Sequence, residues 1–270
     1  MRNDTVRPIV DMRNVLQRSR VAFGNRLDAI MREQDTAGEE VVELYQRWHE
    51  RFLTLEEDAD KDIANMVKDM PIVQRMIGIK GIGPMLSAKL VSMIDIERAD
   101  TVSALWRYCG LSVINGQRER PVKGERLHYN ARLKTLCYWT AESFIKSHSP
   151  YAQVYRDAYE YYVSNRPAWG ECLSCNTTLA GCHAKKLHSN SGYRTATRKT
   201  WEKTWGEYEP GKRGWRTEHI HLASLRKAMK LFLSHLWVVW RGMEGLPITY
   251  PYAHERLGHQ HYYAPEDFGW

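Results

Sequence analysis

The sequence predicts a mainly α-helical fold: an N-terminal αα-hairpin of coiled-coil character, a helix-hairpin-helix domain, an inserted zinc knuckle and a closing core helix. Three observations predict it. Apolar residues recur at helical spacing through residues 11–33, 39–69, 130–146 and 219–241. Gly81-Ile82-Gly83 lies between two short helical patterns. Three of the five cysteines cluster within residues 172–182. The segments implied are 1–70 (helical hairpin or arm), 71–166 (helix-hairpin-helix domain), 167–217 (knuckle with a basic-aromatic stretch) and 218–270 (closing helix and irregular tail).

In the first segment Leu16, Phe23, Leu27 and Ile30 form one stripe, with Arg13, Arg18, Arg20 and Arg26 around it. Asp35-Thr36-Ala37-Gly38 reads as a turn, and Val42, Tyr45, Trp48, Phe52, Leu55, Ile63 and Val67 mark a second helix from Glu39 to Asp69. The stripes of such a hairpin need a partner. Either they pack on the rest of the chain or they form a dimerisation arm, and sequence alone leaves both open.

Pro71 ends the second helix and a short helix follows over Val73–Ile77. Next comes Gly78-Ile79-Lys80-Gly81-Ile82-Gly83, with Pro84 placed as the first residue of a helix reaching Ile94. Glycines in such a hairpin let backbone approach a phosphate, and the free N–H groups at the next helix start face the anion. Lys80 and Lys89 add charge. The bland alternative is a glycine turn between two core helices. Residues 101–115 read as a buried helix and turn. A basic loop follows, with six cations from Arg118 through Arg120, Lys123, Arg126 and Arg132 to Lys134, punctuated by Gly116 and Gly124. It reads as a phosphate-binding loop or as a solvated surface loop. The helix over Asn130–Lys146 is largely core, and Cys109 and Cys137 are expected as small core residues. On this reading the candidate nucleic-acid-binding residues are Gly78, Lys80, Gly81, Gly83, Lys89, Arg118, Arg120, Lys123 and Arg126, and the hairpin and the loop are expected to approach each other.

Cys172, Cys175, Cys182 and His188 have the spacing C-x2-C-x6-C-x5-H. Three thiolates and an imidazole suit a closed, structural tetrahedral zinc site, with His183 competing for the fourth place. Arg194–Arg216 interleaves cations with Trp201, Trp205, Tyr208 and Trp215, a pattern suited to stacked single strands or to an amphipathic helix; core tryptophans are the preferred reading. The long helix over His219–Arg241 is a core helix. The tail from Leu246 is read as an irregular surface wrap, without metal binding by His254, His259 or His261.

Composition bounds the functions. The 270 residues suffice for one large or two small domains, and 39 Lys+Arg against 32 Asp+Glu give a net charge of +7 that mildly favours a polyanionic partner. No run of about 18 apolar residues would span a membrane, and Met1–Asp4 lacks a secretory core, so the expected compartment is the cytoplasm. An odd cysteine count argues for metal binding or free thiols over a disulfide framework.

Gly78–Gly83, Ala88, Leu90 and Leu105-Trp106-Arg107-Tyr108-Cys109-Gly110-Leu111 resemble the C-terminal half of the bridge-RNA-guided insertion-sequence transposases, the one-ten/one-sixteen family. The likeness continues through Gly116, Gly124, Arg132, Leu133, Pro150 and Tyr151. Ala223–Trp240 is similar to the family's closing helix, and the N-terminal hairpin to its coiled-coil arm. The cysteine knuckle looks like an insertion. Two departures bear on activity. The family's N-terminal nuclease domain has no room before Asp11. The family's nucleophilic serine, just before a glycine in this loop, is replaced by Asn115, and an amide cannot attack a phosphodiester as a hydroxyl can. Ser112 is offset by three residues.

The resemblance therefore implies binding and assembly, with no catalytic residue assigned. The leading expectation is a non-catalytic nucleic-acid-binding protein (DNA or structured RNA) from a mobile element or phage, forming a homodimer. One alternative is a recombinase that uses Ser112 or borrows a nuclease subunit. Another is a phage factor that binds a host protein complex.

Overall fold

The computed structural model describes residues 3–32, 37–114, 117–118, 123–165, 217–249 and 263–270. Among these residues it is mainly helical: α1 (Asn3–Met31), α2 (Glu39–Val67), α3 (Pro71–Ile77), α4 (Pro84–Met93), α5 (Val102–Tyr108), α6 (Ala131–Lys146), α7 (Pro150–Asn165) and α8 (Thr217–Met243), with a 3-10 turn at Pro265–Phe268. The chain divides into two compact units: residues 1–151 with 229–270, and residues 152–228.

In the first unit α1 and α2 form an antiparallel hairpin. Its register follows from pairs whose residue numbers rise on one helix as they fall on the other: Arg13 with Asp60, Arg20 with Glu56, Phe23 with Phe52 and Gly24 with His49. At about 1.5 Å per residue each helix is ~43 Å long. Phe23 sits against Tyr45 and Phe52 with ring centroids 5.6 Å apart in both pairs. The base of the hairpin (Val6, Val10, Ala59, Ile63, Val67) is buried and packs on α4. Farther out Met31, Val41 and Leu44 are exposed. The base of the hairpin thus packs on the rest of the chain, as one of the two sequence alternatives has it.

Two prolines organise the next turn. Pro71 and Pro84 occupy the first helical positions of α3 and α4, where a missing N–H costs no hydrogen bond. Thr101 caps α5 by accepting from the Ala104 N–H at 3.1 Å, and Asn130 caps α6 by accepting from the Leu133 N–H at 3.1 Å. The basic loop begins as an antiparallel ladder, Val113 opposite Arg118 and Ile114 opposite Gln117, where no strand was expected.

The last turns of α8 hold the α4–α5 connection in place. Trp237 Nε1 donates to Ala99 O at 2.6 Å, and Arg241 Nη1 donates to Ile96 O at 2.9 Å and Ala99 O at 3.1 Å. Arg241 is almost fully buried, and its Nε donates to Pro247 O at 2.8 Å. An aromatic cluster forms the deepest part of the unit: Phe144 stacks on Tyr151 at 4.8 Å, and Tyr151 meets Phe268 at 4.6 Å. The described end of the tail therefore departs from a surface wrap. Pro265 and Phe268 are buried, and Trp270 Nε1 donates to Tyr151 Oη at 2.7 Å. Apolar burial outweighs the cost of ordering a short Pro-containing turn.

In the second unit Tyr155 Oη and His221 Nδ1 lie 2.8 Å apart, joining α7 to α8. No described helix is long and apolar enough to cross a membrane.

Candidate functional site

The glycine hairpin hangs from two buried isoleucines, Ile79 and Ile82, and each closes a turn: Ile79 N–H to Met76 O and Ile82 N–H to Ile79 O, both at 3.0 Å. Its glycines serve different ends. Gly81 has φ +98°, a left-handed value that strains any residue with a Cβ. A Cβ there would also collide with Ser147 Oγ and stand 3.1 Å from Ser143 O, while Ser143 Oγ donates to Gly81 O at 2.7 Å. The protein's own α6 thus demands Gly81. Gly78 lies near the C-terminal turn, where an added Cβ would stand 3.7 Å from Gly269 O. Gly83 is different: nothing lies within 4 Å of where its Cβ would be. It precedes Pro84 as the N-cap of α4 without any side-chain cap, so the first-turn amides of Met85 and Leu86 start an uncapped helix at an open position. Lys80 is exposed beside it in sequence.

Lys89 sits elsewhere. It is half-buried one to two turns into α4 and interacts with Arg13, Glu56 and Asp60 of the N-terminal hairpin. Burial, together with Arg13, lowers its pKa, while the two carboxylates favour its charge. A lysine so placed lies within reach of the hairpin's charges.

The basic loop returns to α6 through Tyr129 and Asn130. The Asn130 backbone N–H donates to Tyr108 O at 2.9 Å and its Nδ2 donates to Tyr108 Oη at 3.2 Å, which ties the loop end to α5. Gly110 has φ +65°, and a Cβ there would run into Tyr129 Cδ2 at 2.7 Å. The glycine lets the Tyr129 ring lie against the α5 turn, and Lys134 Nζ lies 4.2 Å from that ring's centroid. Tyr108, Arg126, Leu127, His128, Tyr129 and Asn130 line a cleft of about 430 Å³. Lys123 and Arg126 are exposed; the Arg118 side chain and all of Arg120 lie outside the described residues.

Among the described residues the two elements are anchored at different places on α6. The glycine hairpin bonds to Ser143 near the C-terminal end of α6, and the basic loop enters the helix at Asn130. Thirteen residues of helix separate those anchors, about 20 Å at the α-helical rise. Each end is held by side-chain bonds between distant residues, which sequence spacing cannot reveal. A third surface is acidic: a cavity of about 1170 Å³ has Asp69, Asp95, Glu97 and Glu244 in its lining against Arg98.

Ser112 Oγ is buried and has no hydrogen-bond partner among the described residues. Asn115 lies outside the described residues, as do Cys172, Cys175, Cys182, His183 and His188 and the aromatics of 194–216. Cys109 and Cys137 are buried free thiols, and burial and the neighbouring Cys137 raise the Cys109 pKa. The sequence reading missed the Tyr108–Tyr129 cleft. Its local signal was the aromatic-rich run His128-Tyr129-Asn130 before a capped helix.

Residues 73–156 match the model of the family described as Transposase IS116/IS110/IS902 family. The match runs from α3 through the glycine hairpin, α4, α5, the β-ladder and α6 into α7, under a third of the chain, and makes this segment transposase-like. No curated protein and no solved structure matches.

Proposed function

We propose that this protein is a non-catalytic nucleic-acid-binding protein of mobile-element or phage origin that grips the phosphate backbone at both ends of α6. One observation carries the reading: α6 holds an uncapped helix start with open Gly83 and exposed Lys80 at one end, and a cationic loop with exposed Arg126 at the other. Their anchors on α6 lie ~20 Å apart, about six base pairs of rise, a span that suits contacts to one face of a duplex or one folded strand. Phosphate contacts of this kind position the partner and read no sequence. Gly78 and Gly81 act as the scaffold of the hairpin, and Lys80, Gly83, Arg118, Arg120, Lys123 and Arg126 form the contact surface. The enclosed Ser112 hydroxyl and the amide at position 115 support the absence of strand cleavage by this segment.

The N-terminal hairpin serves as the homodimer arm, a reading supported by the exposed apolar residues Met31, Val41 and Leu44 toward its tip. Cys172, Cys175, Cys182 and His188 hold a structural zinc ion in a cytoplasmic protein whose other thiols stay reduced.

The test is salt-dependent binding of duplex DNA, branched DNA and structured RNA. The charge-removing pair Lys80→Ala with Arg126→Ala is expected to weaken all three ligands and reduce the salt slope by about two units. A parent-like slope in the folded double variant would move the host-protein reading to first place, and the acidic cavity with apolar Trp240 and Met243 would become the surface to probe.

A further inference from the structure

We propose that the cleft between Tyr108 and Tyr129 seats one unpaired nucleobase, with Arg126 holding the adjoining phosphate; this rests on the nucleic-acid reading above and specifies what it binds. The cleft joins three properties. It has room: about 430 Å³ between α5 and the end of the basic loop. It has rings that are exposed yet held. Tyr108 is 43% exposed, but its hydroxyl accepts from Asn130 Nδ2 and its carbonyl accepts from the Asn130 N–H. Tyr129 is fixed between the Gly110 turn and Lys134. A ring already held pays little entropy when a base stacks on it. It also has charge: the exposed Arg126 lines the same cleft. Held aromatic rings beside cations suit bases of any sequence, because every base has a π-face.

The geometry also selects the state of the nucleic acid. Inside a duplex each base is stacked on both faces, so only an unpaired or extruded base can enter a cleft lined by side chains. The phosphate grip at the glycine hairpin, at the other end of α6, makes no such demand. Binding therefore combines a structure-tolerant contact at one end of α6 with a contact selective for unpaired bases at the other.

Fluorescence anisotropy of the full-length protein with labelled oligothymidylate of about eight nucleotides and with a blunt duplex tests this. Tyr108→Ala is expected to weaken oligothymidylate binding about tenfold and leave duplex binding unchanged, while Tyr108→Phe, which keeps the ring and loses the hydroxyl, stays near the parent. Arg126→Gln is expected to lower the salt slope for oligothymidylate by about one unit. A measurement free of folding effects is photo-crosslinking of an oligonucleotide carrying one 5-iodouracil, with the crosslink expected within residues 108–130. Crosslinks mapping elsewhere, equal weakening of both ligands by Tyr108→Ala, or a loss in Tyr108→Phe as large as in Tyr108→Ala would overturn the base seat and leave nucleic-acid binding standing. A parent protein that binds neither ligand would overturn both readings.

Discussion

Arg13 spans the N-terminal hairpin to Asp60 with both arms of its guanidinium, Nε to Oδ1 at 2.6 Å and Nη2 to Oδ2 at 3.0 Å. The same Nη2 lies 2.7 Å from Glu56 Oε1, and Arg20 Nε lies 2.7 Å from Glu56 Oε2. Glu56 is buried and two guanidinium groups face it. With Lys89 nearby, the cluster links α1, α2 and the helix that starts at the glycine hairpin.

Arg13→Ala is accordingly expected to destabilise the protein by about 3 kcal/mol, because it leaves a buried carboxylate with half its pairing. Thermal unfolding should show a midpoint lowered by roughly 5–10 °C. A change of a degree or less would mean that the cluster contributes no more than an exposed pair.

His235 predicts a pH dependence. The Tyr263 carbonyl can only accept, so His235 Nε2 carries the proton and donates to it at 2.9 Å, while Nδ1 accepts from the Tyr151 hydroxyl at 2.6 Å. Burial, opposed by the Tyr263 bond and nearby Glu266 and Asp267, lowers the His235 pKa to about 4. The unfolded chain binds its proton near pH 6.5 and the folded one only near pH 4, so stability rises with pH in that window. The contribution is fully present above about pH 6.5 and is lost progressively as pH falls to about 4, a change of roughly 3 kcal/mol. Denaturant unfolding of the parent and His235→Gln across this range should show the slope flatten in the variant.

Gly81 and Gly83 should separate folding from binding. Gly81→Ala meets a left-handed φ and Ser147, so a loss of about 1–3 kcal/mol is expected whether or not a ligand is present. Gly83→Ala has φ −102° and open space, so its melting temperature should match the parent while nucleic-acid affinity falls. Equal affinity for Gly83→Ala and the parent would remove the α4 start from the contact surface.

Elemental analysis should find about one zinc per chain, and Cys175→Ser should release it. A metal-free parent with unchanged melting on chelation would end the zinc assignment.

Most helix positions were legible because they depend on local periodicity; α7 was not. Pro71, Pro84 and Asn130 mark helix starts through backbone chemistry that acts within one turn. The β-ladder was also written in the sequence, as Asn115-Gly116 between Val113-Ile114 and Gln117-Arg118, a hairpin signal obscured by the surrounding charge.

By itself, then, the sequence determined most of the helices, that Cys109 and Cys137 lie in the core, and that the chain carries a glycine hairpin and a cationic loop. Tertiary structure alone decided what those elements touch. It turned Gly81 toward Ser147 and Lys89 toward Glu56 and Asp60. It buried Phe268 beside Tyr151 and joined Tyr108 to Asn130 across 22 residues of chain. The physical reason is range. Helix propensity and capping act over three or four residues, whereas the identity of a glycine's nearest neighbour or a lysine's counter-ion depends on residues that only chain folding brings within a few ångströms.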